Sequence, residues 1–471
     1  MTVVPFDPKQ RLKRPKKLAG PSETYDREAM NREYAVVMVG SRTVVMRERA
    51  DAPIGQRMSL MRVADFRAWL SHRAIYRLNG RGQSQRVSVA DVWLEDRDRR
   101  QFDGLVFAPG EERVVGSAYN LWSGWAVEPS DDGDCSPWFD HVREVICGGS
   151  AELERYVVSW CADLVQNPGR KPGVALVLRG GEGAGKTIMG QMLGKLFPEH
   201  YFLIDSPRYL TGQFNAHLAS CLLVQADEAF WAGDVGSEGR LKGLVTSDFQ
   251  MIEHKGIDPV RVENHVRLLA SSNSDWVVPA GIDARRWAVL DVSDARRGDT
   301  AYFKRLGAMM NDPAALGALL AELRAYKIGD FDLRAVPKTK ALLDQKIRSL
   351  DPLRSWWLSC LERGSIDPKG QAWLDTMAND DIYMSYIGDA ELVRVSRRAA
   401  RTEFGMALRS LVPWAVWTRV YNSKQERVPG TKLPPLADCR AHFERALGQV
   451  IAWDIDTDME TGAVETPDKG F

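Results

Sequence analysis

The sequence predicts an α/β chain built around a parallel sheet. Five short apolar runs, Val174–Leu178, Tyr201–Ile204, Cys221–Gln225, Val266–Ala270 and Trp287–Val292, alternate with helical or loop segments. Strands spaced by helices favour parallel pairing with both faces covered. The first run enters a glycine-rich turn and then a helix-patterned stretch. Helical spacing of apolar residues brackets the whole block on both sides. The balance of 44% hydrophobic and 27% charged residues over 471 residues is that of a globular chain with room for about three domains. Whole-chain disorder is excluded.

The elements follow in order. Residues 1–30 are polar and basic, with Lys9, Arg11, Lys13, Arg14, Lys16 and Lys17, and read as a flexible arm. Residues 31–134 read as a small α/β domain. Within it Tyr34–Gly40 and Thr43–Arg47 form a hairpin signal and Val63–Leu70 a short helix. Residues 135–170 read as a helical collar, with Val142, Val145, Ile146, Leu153, Tyr156, Val157, Trp160 and Leu164 at helical spacing before Asn167-Pro168-Gly169. Residues 171–335 carry the parallel sheet. Residues 336–455 turn helical again at 341–350, 353–363 and 397–411, then show a strand at Trp414–Tyr421 turned by Asn422-Ser423. That order suits a winged-helix-like module, with Trp356-Trp357 as packing. Residues 456–471 form an acidic tail.

Charge and cysteine content narrow the function classes. Lys+Arg and Asp+Glu are 63 each, so nucleic-acid contact must come from local patches. Six cysteines form no CxxC pair, which leaves a zinc ribbon or a thioredoxin-like site unsupported and fits a reducing cytoplasm. No apolar run approaches the roughly 18 residues of a membrane span, and no apolar segment follows the basic N-terminus, so neither a membrane nor a secretory signal is expected.

The strongest chemical signal is Gly180-Gly181-Glu182-Gly183-Ala184-Gly185-Lys186-Thr187, placed between an apolar strand and a helix. Glycines let backbone N–H groups turn inward around phosphates, and the helix N-terminus adds partial positive charge. Lys186 is suited to the β- and γ-phosphates of ATP, and Thr187 to Mg²⁺. Forty residues on, an apolar strand ends in Asp227-Glu228. Asp227 is expected in the metal shell, and Glu228 beside an attacking water. Asn273 ends another apolar strand and is a candidate γ-phosphate sensor. Two β-type runs flank Gly256-Ile257-Asp258-Pro259, a hairpin whose His254 and Lys255 are candidates to grip DNA. Arg285 and Arg286 precede the last strand, and one of them is a candidate to reach a neighbouring subunit's nucleotide.

In this order, Gly180–Thr187, Asp227-Glu228, the Lys255 hairpin, Asn273 and Arg285-Arg286 resemble the motifs of superfamily 3 helicases, a branch of the AAA+ ATPases. Phe214-Asn215-Ala216-His217-Leu218, Asp227–Asp234 and Ser272–Pro279 resemble more narrowly the helicase portion of phage and plasmid primase-helicases. The resemblance covers roughly residues 90–450 and is strongest over 172–295. It implies an AAA+ P-loop ATPase core, a homo-hexameric ring with ATP between subunits, 3′-to-5′ movement on one DNA strand, and a channel hairpin whose basic position matches Lys255. The sequence departs from relatives that carry a primase ahead of this core. Asp96-Arg97-Asp98 has the spacing of a metal pair but sits in an arginine-rich run, so no primase is expected in this chain, and it is either separate or lost.

The expectation is therefore an ATP- and Mg²⁺-dependent DNA helicase of a phage or mobile element. It would hydrolyse ATP and act on single-stranded or forked DNA beside a separate primase or polymerase. The alternative is an ATP-switched origin-binding assembly factor without processive unwinding. Arg394, Arg397, Arg398, Arg401, Arg409 and Arg419 interleave with Trp414, Trp417 and Tyr421, as a nucleic-acid surface or as core aromatics with solvated arginines.

Overall fold

The computed structural model describes residues 24–453 apart from 79, 207, 213–214, 228–234, 254–258, 283, 371, 394–397 and 422–424; the side chains of 211 and 235–237 also lie outside the description. The chain forms two compact units. One holds residues up to Ser123 with the short stretch around Val260, and the other holds the rest from Gly124 onward.

In the first unit Tyr34–Val39 pairs antiparallel with Arg42–Glu48, which pairs in turn with Met58–Arg62. Gln101–Phe102 adds a short parallel edge. Helices Val63–Trp69 and Val89–Leu94 bring Phe66 and Trp93 against Tyr34, Val36 and Val45. Asp96 accepts from the Tyr25 hydroxyl at 2.7 Å, and Asp98 pairs with Arg27.

The second unit opens with a helix at Ser136–His141 that passes into a π-helical turn at Val142–Ile146. The sequence reads 136–166 as one helical run. The structure breaks it at Gly148-Gly149, both at positive φ (55° and 82°), where side chains other than glycine are strained. The helix then restarts as α1 (Ala151–Gln166), capped by Ser150 onto the Leu153 amide.

Five strands follow: β1 (Ala175–Arg179), β2 (Tyr201–Ile204), β3 (Leu223–Asp227), β4 (Arg267–Ser272) and β5 (Trp287–Asp291). They form one parallel sheet in the order β2-β3-β4-β1-β5. Burial on both faces explains their nearly unbroken apolar runs. The chain leaves β1 toward β2 on one side and later crosses from β4 over β1 to β5. Sheets of this kind bind ligands at the carboxyl ends where that direction reverses. A separate pair, Phe249–Ile252 with Val260–Glu263, forms the two strands of the expected hairpin. Its tip lies outside the described residues.

Beyond the sheet, helices Pro352–Arg363, Asn379–Leu392 and Arg401–Leu411 surround Trp356, Trp357, Tyr386 and Phe404. Trp356 Nε1 donates to Ser385 Oγ at 3.1 Å, so both tryptophans of this pair are core. Thr376–Ala378, Arg427–Lys432 and Val416–Tyr421 form a three-stranded antiparallel sheet. Strand Arg427–Lys432 escaped sequence reasoning because Pro429-Gly430 suppresses its strand pattern. Trp414, Trp417 and Tyr421 are exposed, not core, and the Arg409 guanidinium lies 4.8 Å from the Trp417 ring centre. Among the described residues no helix is long and apolar enough to cross a membrane.

Candidate nucleotide-binding site

The glycine-rich loop leaves the carboxyl end of β1 and enters α2 (Lys186–Lys195). Gly185 caps that helix at φ 94°, and a Cβ there would stand 2.7 Å from His141 Cε1 and 2.9 Å from Phe303 Cε1. Only glycine meets both demands. Lys186 is buried, and its ammonium donates to the carbonyls of Gly180 at 2.8 Å and Gly181 at 2.7 Å. Those acceptors are neutral. A phosphate oxygen accepts a charge-assisted hydrogen bond and competes well for the same donor.

Thr187 Oγ1 donates to Asp227 Oδ2 at 2.9 Å, and Ser271 Oγ donates to Asp227 Oδ1 at 2.7 Å. One carboxylate and two hydroxyls therefore share one point at the strand ends. Such hard oxygens suit Mg²⁺, which usually takes one or two carboxylates and completes its shell with water and phosphate. No cluster of three or more His, Cys, Asp or Glu able to hold a metal exists among the described residues. One level below, the fully buried Gln225 donates to the Thr187 carbonyl at 2.9 Å and accepts from Tyr201 at 2.6 Å. Burial pushes the Tyr201 phenol well above its usual pKa.

His141 supports the loop from behind. Its Nε2 lies 3.0 Å from the Gly185 carbonyl and its Nδ1 3.0 Å from the Tyr302 hydroxyl. A carbonyl only accepts, so Nε2 carries the proton and Nδ1 accepts from Tyr302. Burial pushes the His141 pKa down from 6.5 to about 4, so the ring is neutral at pH 7.

Residues 178–286 match a family described as "Family of unknown function (DUF5906)". A DNA primase-polymerase of Nitratiruptor phage NrS-1 is 27% identical over 140 residues, which are 29% of this chain and 19% of that protein. This chain is similar to a phage DNA primase-polymerase. The fold agrees: the apo structure of the NrS-1 C-terminal region superposes with a TM-score of 0.61 at 15% identity, covering 86% of this chain and 98% of that one. A second structure, an A form of the same region, gives 0.60 at 14% identity with the same coverage. The sequence match thus spans about a fifth of the curated relative.

These likenesses overturn the expectation of an ATP-hydrolysing DNA helicase, and with it the alternative of an ATP-switched origin-assembly factor. The matched relative is named for primer synthesis and polymerisation. The physical reason for the misreading is specific. A glycine-rich loop, a lysine and a strand-end acid are residue types suited to hold phosphate, and their order alone does not specify a reaction.

The structure brings Gly180–Thr187 and Asp227 together. Asn273 lies just past β4 on the same edge, exposed, two residues beyond Ser271. Glu228, His254 and Lys255 lie outside the described residues. Arg285 and Arg286 stand at the other end of the sheet. Ala175 N donates to the Arg286 carbonyl, and Ala175 pairs with Trp287 while Arg179 pairs with Asp291. A five-residue strand therefore separates these arginines from the loop, about 16 Å. Sequence reasoning missed Ser271, Gln225, His141 and Tyr302. The signal for the first two was a polar residue inside an otherwise apolar strand; His141 and Tyr302 gave none.

Proposed function

We propose that this chain acts in DNA primer synthesis and polymerisation during phage replication, in the host cytoplasm, as a module that binds a nucleoside triphosphate with Mg²⁺. The observation that carries the reading is the meeting of Lys186, Thr187, Asp227 and Ser271 at the carboxyl edge of the sheet. The likeness to the primase-polymerase supports the replication role. The sheet order, with β1 between β4 and β5, supports an AAA+-like nucleotide-binding core.

In this reading Gly180–Gly185 wrap the phosphates with backbone N–H groups, and Lys186 neutralises the β- and γ-phosphates. Thr187 and Asp227 hold Mg²⁺, with Glu228 as a neighbouring second carboxylate. Asn273 reaches the terminal phosphate. His254 and Lys255 contact the DNA strand. The natural triphosphate is ATP, the assembly is a ring of six copies, and a separate primase or polymerase supplies nucleotidyl transfer. Arg285 or Arg286 meets a nucleotide only across a neighbouring copy of such a ring.

A titration with a fluorescent ATP analogue tests the site. Binding should require Mg²⁺ and weaken at least a hundredfold in Lys186→Ala, given a lost charge-assisted contact to phosphate. Equal binding by wild type and variant overturns the site. Primer formation tests the role: adding the chain to a single-stranded template, labelled nucleotides and a DNA polymerase should raise the yield of short product. No rise removes the primer-synthesis reading even where the nucleotide binds.

A further inference from the structure

A second concentration of positive charge lies at the edge of the sheet away from the loop. Arg285 and Arg286 stand where the chain enters β5. Lys338 precedes α3 (Lys340–Arg348), which carries Lys346, and α4 (Leu436–Leu447) carries Arg445. These five cations line one hollow of about 740 Å³, and no carboxylate lines it among the described residues.

Several other arginines of this unit are neutralised by carboxylates. Arg179 bridges Asp291 and Asp344, Arg267 pairs with Asp163, and Arg296 pairs with Glu144. In the hollow the pattern reverses. The Nε of Arg286 is buried with no hydrogen-bond partner. Arg445 rests near the Trp414 ring at 5.7 Å, which leaves its guanidinium edge for other contacts.

Like charges gathered in one concavity repel, and low-dielectric walls strengthen the field. An anion with several oxygens relieves that repulsion. Guanidinium forks match the tetrahedral oxygens of phosphate in pairs. The volume lies within the usual range for small-ligand sites, about 300–1,000 Å³.

We propose that this hollow is a phosphate-binding site, distinct from the glycine-rich loop, which holds phosphate groups of a DNA backbone or of a free polyphosphate. It takes all its ligands from one chain. It does not depend on the nucleotide reading of the loop.

The test uses the full chain carrying Lys186→Ala, so that the loop does not compete. Two probes are titrated: inorganic tripolyphosphate by calorimetry, and a fluorescein-labelled single-stranded oligonucleotide by anisotropy. Lys338→Glu and Arg285→Glu change exposed side chains and leave the core intact. Arg286→Lys keeps the charge but removes the fork. Each should weaken the bound probe about tenfold or more, the usual worth of a hydrogen bond between charged groups. Loss confined to the oligonucleotide, with its salt dependence reduced by about one unit per cation removed, identifies a DNA backbone as the source. Loss confined to tripolyphosphate identifies a free polyphosphate. Binding of both probes unchanged in all three variants overturns the proposal, as does failure of both probes to bind the Lys186→Ala chain.

Discussion

Ser271 donates to one carboxylate oxygen of Asp227 at 2.7 Å, across a strand pair in which the two residues are direct partners. Thr187 occupies the other oxygen. The carboxylate is thus clamped at the place where a metal shell would form. Groups that orient a metal ligand are typically worth 10–100-fold in metal affinity. Ser271→Ala should therefore raise the Mg²⁺ concentration needed for half-maximal nucleotide binding about tenfold. Titrating Mg²⁺ at fixed fluorescent nucleotide reads this directly, and an unchanged midpoint would remove Asp227 from the metal shell.

Gly185 is under two constraints at once, a left-handed backbone and the His141 and Phe303 rings where a Cβ would go. Gly185→Ala should lower unfolding stability by about 2 kcal/mol, the scale of backbone strain together with a packing clash. Urea melts should show a lower midpoint with an unchanged slope. Nucleotide affinity should fall with it, because the same residue sets where the loop meets α2.

His141 predicts a pH dependence with a definite sign. Its folded pKa is depressed to about 4 from 6.5, so between those values the unfolded chain binds a proton that the folded chain refuses. The stabilisation is complete above pH 6.5 and is lost as pH falls toward 4, by roughly 3 kcal/mol in all. His141→Gln should flatten the stability difference between pH 7 and pH 5. Urea melts at both values check it, and an equal slope in wild type and variant would contradict it.

Asp163 and Arg267 form a buried ion pair at 2.8 Å. The same guanidinium also donates to the carbonyls of Asp163, Asn167 and Arg170, tying the end of α1 to the start of β4. Removing one partner of such a pair leaves a buried charge uncompensated, at a cost of about 3–5 kcal/mol. Asp163→Ala should lose that much by chemical denaturation at pH 7. Asp163→Asn, which keeps an acceptor, should lose clearly less.

How much of this was legible in the sequence depends on range along the chain. The strand, loop and helix around Lys186 are contiguous, and their chemistry is written in residue types a few positions apart. The five apolar runs were legible because burial on both faces leaves little room for polar residues. The link from Thr187 to Asp227 was legible only through their order along the chain. Ser271 was not, since a buried serine in a strand is usually incidental and its partner lies 44 positions away. Arg285 and Arg286 show the reverse. Their proximity to the motifs in sequence suggested a shared site, yet parallel pairing sends the start of β5 to the far edge from the loop. The activity expected from the motif order was wrong because residue types suited to hold phosphate carry no information about the reaction.

The sequence by itself determined the local and periodic features: the parallel α/β core, the glycine-rich turn at its first strand and the acid ending its third. These follow from backbone sterics and from apolar patterning, which act over a few residues. Only the tertiary structure decided the strand order, the Ser271–Asp227 clamp, the His141 brace behind Gly185 and the gathering of Arg285, Arg286, Lys338, Lys346 and Arg445 into one hollow. Those depend on which distant segments pack together, and that choice is made by the summed burial of many side chains, which no single stretch of sequence contains.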